Sequence, residues 1–128
     1  MQTRDTAAIM DRFNDAFLTH QPDILDDLIG DDCVMEGIQP APNGSRVEGR
    51  AACLAFWQAL ANDPDNVFTV ELVTVAGDRA VIRWRYHYGA AQEHPVRGVN
   101  LMQVRDGRII EALGYAKVPA EHTPLSGE

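Results

Sequence analysis

Positive charge is scarce in this sequence. The 128 residues include 11 lysines and arginines against 19 aspartates and glutamates, which gives a formal net charge of −8 at pH 7. Because a phosphate-binding surface requires clustered positive charge, this composition argues against a nucleic-acid partner. The acidic balance favours solubility and carries little information about the fold.

Cysteines and long hydrophobic runs are also lacking. The two thiols, Cys33 and Cys53, are not closely spaced, so they predict neither a disulfide framework nor a metal motif, but reduced, partly buried side chains. The opening stretch MQTRDTAAIMDRF is charged too early for a signal peptide. No apolar run approaches the roughly 20 residues that a membrane span needs. We therefore expect a cytoplasmic protein without a membrane partner.

The four histidines give no metal motif. His87 and His94 do not form a metal-ligand spacing on one element, and His20 and His122 lie near segment ends. Protein zinc sites usually combine several ligands at short, regular spacings. Neither a metal nor another cofactor is expected.

Helical spacing dominates the first half of the chain. Residues 4–20 and 49–62 carry apolar side chains every three or four positions, which predicts two helices. Pro22 suits the first turn of a short helix between them, and Gly30 is expected to end it. Residues 33–37 fit a short strand. The first half is thus predicted to hold three helices around one strand.

From Val67 the pattern becomes typical of strands, with β-branched and aromatic residues separated by turn signals. Asp106 and Gly107 form the strongest short hairpin signal in the chain. Four strands are predicted, at residues 67–75, 79–88, 96–104 and 108–118. The fold class is therefore α+β, with three N-terminal helices packed on one face of a curved, mostly antiparallel sheet.

The length and the 45% hydrophobic content suit a single domain, residues 1–128. Its core is expected over residues 7–118, and residues 119–128 are expected to form a flexible tail. Residues 39–49 and 89–94 are predicted loops. No repeat or low-complexity segment divides the chain.

Four stretches resemble one known superfamily. They are DRFNDAF, DDCVMEG, EGRAACLAFW and RGVNLMQVRDGRIIEALGY, and the last is the most specific. The sequence resembles the nuclear-transport-factor-2-like superfamily and, within it, the SnoaL-like group of polyketide cyclases and ketosteroid isomerases. The resemblance implies a cone-shaped α+β barrel enclosing a deep apolar pocket, and a homodimer formed through the sheet. Its members include isomerases, cyclases, dehydratases, epoxide hydrolases and binding domains, so the fold does not settle the function.

The residues that carry ketosteroid isomerase chemistry in that group are all changed here. The resemblance places Phe13 at the oxyanion tyrosine, Gly37 at the carboxylate base and Asn100 at the oxyanion aspartate. Steroid isomerisation by that mechanism is therefore not expected. Epoxide hydrolysis is not expected either, because the meander strands contain no aspartate.

Other candidates for the site remain. His87 and then Glu36 are candidate bases, because imidazole titrates near neutrality and Glu36 precedes the base position. Asn100 is expected to face the pocket and donate to an oxygen, although a buried asparagine satisfied by its neighbours is the alternative. The expected ligand-binding residues are Phe13, Phe17, Trp57, Arg83, Arg85, Met102, Ala112 and Ala116.

The strand at residues 79–88 has two possible orientations. Amphipathicity alone turns its aromatic set, which includes Trp84 and Tyr86, inward. A symmetric closure of the loop at 89–94 instead places Arg83 opposite Asn100. We favour the second register, which turns Arg83, Arg85 and His87 into the pocket and leaves the aromatic set to a dimer partner. A slip of one residue reverses this prediction.

Three functions compete. The first is a cofactor-free isomerase, cyclase or dehydratase that uses His87 or Glu36 as the base and Asn100 with Arg83 to stabilise an enolate. The second is a binding or dimeric assembly domain without chemistry. The third is protein transport, for which the sequence identifies no protein-binding surface. In each of the first two, the expected partner is a small hydrophobic molecule with a carbonyl or carboxylate, and an inward aromatic set would favour the binding domain.

Overall fold

The computed structural model describes residues 5–38, 43–88 and 94–117. The predicted tail at 119–128 and nearly all of the predicted loop at 89–94 lie outside these residues. Two α-helices, one short 3-10 helix and six strands follow one another in the described part. They are α1 (Thr6–Leu18), the 3-10 helix (Pro22–Asp27), β1 (Ile29–Glu36), β2 (Arg46–Glu48), α2 (Arg50–Asn62), β3 (Val67–Ala76), β4 (Arg79–Tyr88), β5 (His94–Arg105) and β6 (Arg108–Lys117).

The first helix begins where a side chain can cap it. The Asp5 carboxylate accepts a hydrogen bond from the Ala8 backbone N–H at 2.8 Å, which satisfies one of the free donors at the helix start. Past the end of α1, His20 has a φ of 55° and turns the chain toward the 3-10 helix. The helix is therefore slightly shorter at both ends than the predicted 4–20.

The predicted second helix ends earlier than expected. It is a 3-10 helix with Pro22 in its first turn, and it ends at Asp27. Gly30 does not end it but lies inside β1, where an added Cβ would lie 3.0 Å from the Ile110 side chain. The close approach of β1 to β6, rather than a helix end, explains glycine here.

The six strands form one sheet in the order β2-β1-β6-β5-β4-β3. Strands β3 to β6 form the predicted antiparallel meander, and β1 pairs with β6 in parallel. Strand β2 lies inside the predicted loop at 39–49 and pairs with β1. Within the described residues the sheet is open between β2 and β3, so the predicted barrel is a curved open sheet with helices on one face.

The predicted Asp106–Gly107 hairpin is confirmed. Asp106 and Gly107 both have positive φ, 54° and 76°, and Arg105 pairs with Arg108 across them. Two successive positive φ angles match the right-handed twist of the strands, which is why Asp-Gly predicts such turns. The hairpin fixes the register of β6 against β5 and so places the residues of the candidate site.

The helices cover the concave side of the sheet. Helix α1 packs mainly on β3 and the 3-10 helix, and α2 packs on β1 and the 3-10 helix. Large side chains from both layers are fully buried there: Ile9, Met10, Leu25, Leu28, Ile29, Ile82, Met102 and Ile109. Among the described residues, no helix combines the length and the apolar composition needed to cross a membrane.

Candidate functional site

Strand β4 turns its aromatic set toward the helices. Alternate residues of the strand line a cavity between sheet and helices: Ile82, Trp84 and Tyr86. The predicted inward orientation of Arg83, Arg85 and His87 is wrong, since these three alternate with the cavity-lining set and lie on the opposite face. The predicted dimer contact through Trp84 and Tyr86 is wrong for the same reason.

A register difference of one residue causes this reversal. Asn100 pairs with Ile82, whereas the predicted symmetric loop closure paired it with Arg83. Because side chains alternate along a strand, a shift of one residue exchanges the two faces. Asn100 nevertheless lines the cavity, in company with Ile82 and Trp84.

The arginines of the outer face converge on one carboxylate. Glu71 accepts from Arg85 Nε at 2.6 Å and from Arg97 Nη2 at 2.9 Å, and Arg83 Nη2 lies 3.6 Å away. Glu71 occupies a bulge in β3, between Val70 and Leu72. The hydrogen bonds from Arg97 and then Arg85 lower the pKa of the Glu71 carboxyl. The predicted cationic end of the pocket is therefore a cluster of three arginines and one glutamate on the outside of the sheet.

The cavity measures about 420 Å³. This is within the range of small-molecule sites, about 300–1,000 Å³. Its wall is mostly apolar, and both helices and five strands supply it. The lining residues not already placed are Phe13, Asn14, Phe17, Leu18, Met35, Glu36, Gly37, Ile38, Ser45, Phe56, Trp57, Leu60, Phe68, Val70, Val96, Ala112 and Gly114.

Aromatic side chains concentrate in this wall. All four phenylalanines and both tryptophans of the chain line the cavity. Phe68 stacks on Tyr86 with ring centroids 4.5 Å apart, and Phe13 meets Trp57 edge to face at 5.2 Å. Such contacts fix ring orientations and present large apolar surfaces to a ligand.

A short polar network holds Tyr86 in the wall. The Tyr86 hydroxyl donates to Asn66 Oδ1 at 2.8 Å, and Asn66 Nδ2 donates to the Leu60 carbonyl at 3.2 Å. The network ties β4 to the end of α2. Both ends of the buried Asn66 amide are thereby satisfied.

Asn100 is held by an indole. Trp84 Nε1 donates to Asn100 Oδ1 at 3.2 Å, which identifies the oxygen end of the amide. Among the described residues, no partner accepts a hydrogen bond from Asn100 Nδ2. Gly114 pairs with Asn100 and has no side chain to cover it. The amide can thus present an N–H donor to a molecule in the cavity.

Glu36 borders the cavity and bonds to an arginine of β2. It lies at the end of β1 beside Leu113 of β6, and Arg46 Nη1 donates to its Oε2 at 3.2 Å. The Glu36 side chain is 29% exposed. Glu36 pairs with Arg46 and with the outer-face residue Leu113, whereas its neighbour Met35 pairs with the cavity-lining Ala112. The Glu36 carboxylate therefore turns toward Arg46 on the outer face, and the residue borders the cavity at the end of β1.

The other predicted site residues divide into two groups. Phe13, Phe17, Trp57 and Ala112 line the cavity, together with Glu36 and Asn100. Met102 is buried in the core and Ala116 is half-buried against it, and neither lines the cavity. Met102 lies on β5 and Ala116 on β6, and both positions are outside the cavity wall.

Sequence reasoning missed several lining residues, above all Asn14 and Phe68. Phe68 could have been found from the alternation in β3, which places it on the same face as Val70. Asn14 directly follows Phe13 in α1 and carries no signal of its own. The strand pairing of β1 with β6, which brings Met35 to Ala112, has no local sequence signal either.

The two cysteines lie together where α2, which holds Cys53, packs on β1, which holds Cys33. Cys33 and Cys53 are both free and fully buried, which exceeds the predicted partial burial. Cys53 Sγ lies 3.5 Å from the Cys33 carbonyl oxygen. Burial, with the neighbouring Cys53, raises the pKa of the Cys33 thiol, and burial raises the pKa of Cys53. Both groups therefore remain protonated thiols in the core.

Comparison with known proteins now identifies relatives. A family model described as a SnoaL-like domain matches residues 10–112. No match was found among curated proteins. An NTF2-like protein of unknown function from Mesorhizobium loti is 54% identical, with a TM-score of 0.83 over 88% of this chain and 90% of that one.

Two further solved structures have similar folds. A proposed ketosteroid isomerase from Kribbella flavida is 21% identical, with a TM-score of 0.74 over 95% of this chain and 84% of that one. A proposed polyketide cyclase from Sinorhizobium meliloti is 26% identical, with a TM-score of 0.67 over 83% of this chain and 92% of that one. At such identities the likeness concerns the fold rather than the reaction.

Proposed function

The chain belongs to the SnoaL-like domain family, and from this premise we propose that its cavity binds a small, neutral, mostly apolar molecule that carries a carbonyl group. The observation that carries the proposal is the amide of Asn100. Its oxygen accepts from Trp84, and its N–H donors have no acceptor among the described residues, so those donors are available to a ligand. A carbonyl oxygen is the matching acceptor.

Charge supports a neutral ligand over a carboxylate. The arginines expected to meet an anion lie on the outer face around Glu71. The described residues that line the cavity include no lysine, arginine or histidine, so a buried anion would have no cationic partner there. An apolar wall also favours an uncharged molecule, because burying an unpaired charge is expensive.

Binding can be measured with a matched set of ring compounds. We expect 2-decalone to bind, and decalin-2-carboxylate to bind more weakly, when each is titrated by calorimetry. Both tryptophans line the cavity, so their fluorescence gives a second readout. Asn100→Leu should weaken 2-decalone binding about five- to tenfold, the usual worth of one hydrogen bond.

The control is Asn62→Leu, at an exposed position at the end of α2 outside the cavity wall. It should leave the affinity for 2-decalone unchanged. Tighter binding of the carboxylate, or equal affinity in wild type and Asn100→Leu, would contradict the proposal.

A second candidate function is acid–base catalysis beside the bound carbonyl. Glu36 is the acidic residue among the described residues of the cavity wall, and Asn100 supplies an N–H donor to a developing enolate oxygen. This function requires the Glu36 carboxylate to turn from Arg46 toward the ligand. His87 lies on the outer face, which leaves Glu36 as the base of this proposal.

This second function can be tested without knowing the natural substrate. An enolising protein should accelerate exchange of deuterium from D₂O into the carbon next to the carbonyl of 2-decalone, followed by NMR. Glu36→Gln should abolish the acceleration and preserve binding. Exchange at the uncatalysed rate with wild-type protein would contradict the catalytic proposal, and ligand binding would be the remaining function.

The proposed partner is a second copy of the chain, bound through the outer face of the sheet. Aliphatic and aromatic side chains adjoin there across β4, β5 and β6: Val81, Val99, Leu101, Leu113 and Tyr115. Leu101 is 39% exposed and Tyr115 is 55% exposed. Charged pairs of both signs flank this apolar patch, with Glu71 and its arginines at one end and Arg79 with Glu111 at the other. A two-fold axis would place the same apolar patch of both copies face to face, with these charged side chains at the rim.

Leu101→Glu should convert the dimer to a monomer in analytical ultracentrifugation, because it buries a charge at the centre of the patch. Ala55→Glu adds the same charge at an exposed position of α2 and should leave the dimer intact. A monomeric wild-type protein would contradict this proposal.

A further inference from the structure

One polar side chain of the cavity wall lacks a partner. Asn14 lies within α1, lines the cavity and is 9% exposed. Its side-chain amide makes no hydrogen bond with any residue in the ranges 5–38, 43–88 and 94–117. Neighbouring side chains of the same helix, Phe13 and Phe17, give the wall its apolar character.

The other buried polar residues show what is normal in this molecule. Three such residues occur in the described part of the chain: Thr6, Asn14 and Asn66. The Thr6 hydroxyl donates to the Gly77 carbonyl at 2.7 Å, and the Asn66 amide is satisfied at both ends. Asn14 is the exception, so packing alone does not account for it.

Asparagine is also a poor choice for this position on local grounds. It favours a helix interior less than leucine does, because its side chain competes for backbone hydrogen bonds. Leaving its amide buried without a partner destabilises the fold further. Leucine, of similar size, would remove both penalties and extend the apolar wall. The side chain is therefore best explained by a contact with something that enters the cavity.

We propose that Asn14 is a second ligand-binding residue, and that the bound molecule carries a hydroxyl group in addition to the carbonyl held by Asn100. This inference rests on the proposed function and narrows it. The Asn14 amide offers both an acceptor and donors, and a hydroxyl group both donates and accepts. The ligand class is thus a neutral cyclic hydroxy ketone, with its carbonyl toward β5 and its hydroxyl toward α1.

The experiment compares 2-decalone with a set of its ring-hydroxylated isomers by calorimetry. At least one isomer should bind wild-type protein about five- to tenfold more tightly than 2-decalone, the usual worth of one added hydrogen bond. Asn14→Leu should remove this gain while leaving the affinity for 2-decalone nearly unchanged. The control variant Asn62→Leu should keep the gain.

Thermal unfolding of the ligand-free variants separates a binding role from a structural one. Asn14→Leu should unfold at the same temperature as wild type or higher, because it removes an unsatisfied amide. A lower melting temperature would show that Asn14 stabilises the fold, and would overturn the inference. So would a hydroxyl gain that persists in Asn14→Leu, or the lack of a gain with every isomer. Failure of 2-decalone itself to bind would instead overturn the proposed function and this inference together.

Discussion

The two faces of the sheet use the same strands for opposite purposes. Along β4 the inner residues Ile82 and Trp84 line the cavity, whereas Arg83 and Arg85, which alternate with them, meet Glu71 and solvent. The inner face is packed and its polar groups are few and placed singly. The outer face carries an ionic cluster beside an apolar patch. Adjacent residues of one strand are therefore expected to respond very differently to substitution.

The largest expected difference is between Ile82 and Arg83. Ile82 is 2% exposed and Arg83 has a side chain that is 50% exposed. Ile82→Ala should lower the free energy of unfolding by about 3 kcal/mol, because it leaves a cavity in the core. Arg83→Ala should change it by less than about 0.5 kcal/mol. Chemical denaturation of both variants measures the contrast, and equal effects would contradict the assigned faces.

Gly98 provides a second test of the inner face, with a smaller expected change in the free energy of unfolding. A Cβ at this position would lie 2.7 Å from the Trp84 ring and 2.4 Å from the Tyr115 carbonyl oxygen. Gly98→Ala should therefore lower the free energy of unfolding by about 2 kcal/mol, through overpacking of the inner face. Gly37→Ala is the matched control, since a Cβ there has no neighbour nearer than 3.9 Å. If Gly98→Ala is as stable as this control, the close packing of Trp84 on β5 is wrong.

The smallest expected effect concerns the pH dependence of the outer cluster. Hydrogen bonds from Arg97 and Arg85 lower the pKa of Glu71 below its ordinary value of 4.5. A carboxyl whose pKa is lower in the folded state stabilises the fold above its unfolded-state pKa. That contribution is lost as the pH falls through the folded-state value. Glu71→Gln should thus be slightly less stable than wild type at pH 7, and the difference should disappear in strong acid.

Denaturation at a series of pH values, at low salt, tests this prediction. Glu48 is another surface glutamate bound to an arginine. The same series on Glu48→Gln measures how a Glu-to-Gln substitution at such a position changes the stability. A difference between wild type and Glu71→Gln that grows as the pH falls would contradict the assigned direction of the pKa change.

Local signals in the sequence were sufficient for most elements. The bounds predicted for β4 agree with the structure, and Asp106 with Gly107 identified the last hairpin. The parallel pairing of β1 with β6 and the short strand β2 were not predicted, because they depend on long-range contacts without local patterns. The predicted helix end at Gly30 was wrong, because the close approach of β1 to β6 explains the glycine at this position.

The site was harder to predict than the fold. Asn100 and Glu36 both border the cavity, and their roles stay predictions. The orientation of Arg83 depended on a loop closure that periodicity does not define. Amphipathicity alone would have given the observed face of β4. Asn14 could not be recognised, because its significance lies in the absence of partners within the described residues rather than in any motif.

The buried thiols have a practical consequence for studying this molecule. Alkylating and spin-labelling reagents attack the thiolate, and both Cys33 and Cys53 are fully buried with raised pKa values. The natural chain should therefore remain unlabelled while it is folded. A single cysteine introduced on an exposed position of either face would become the reactive one, so probes can be attached without first removing the native pair.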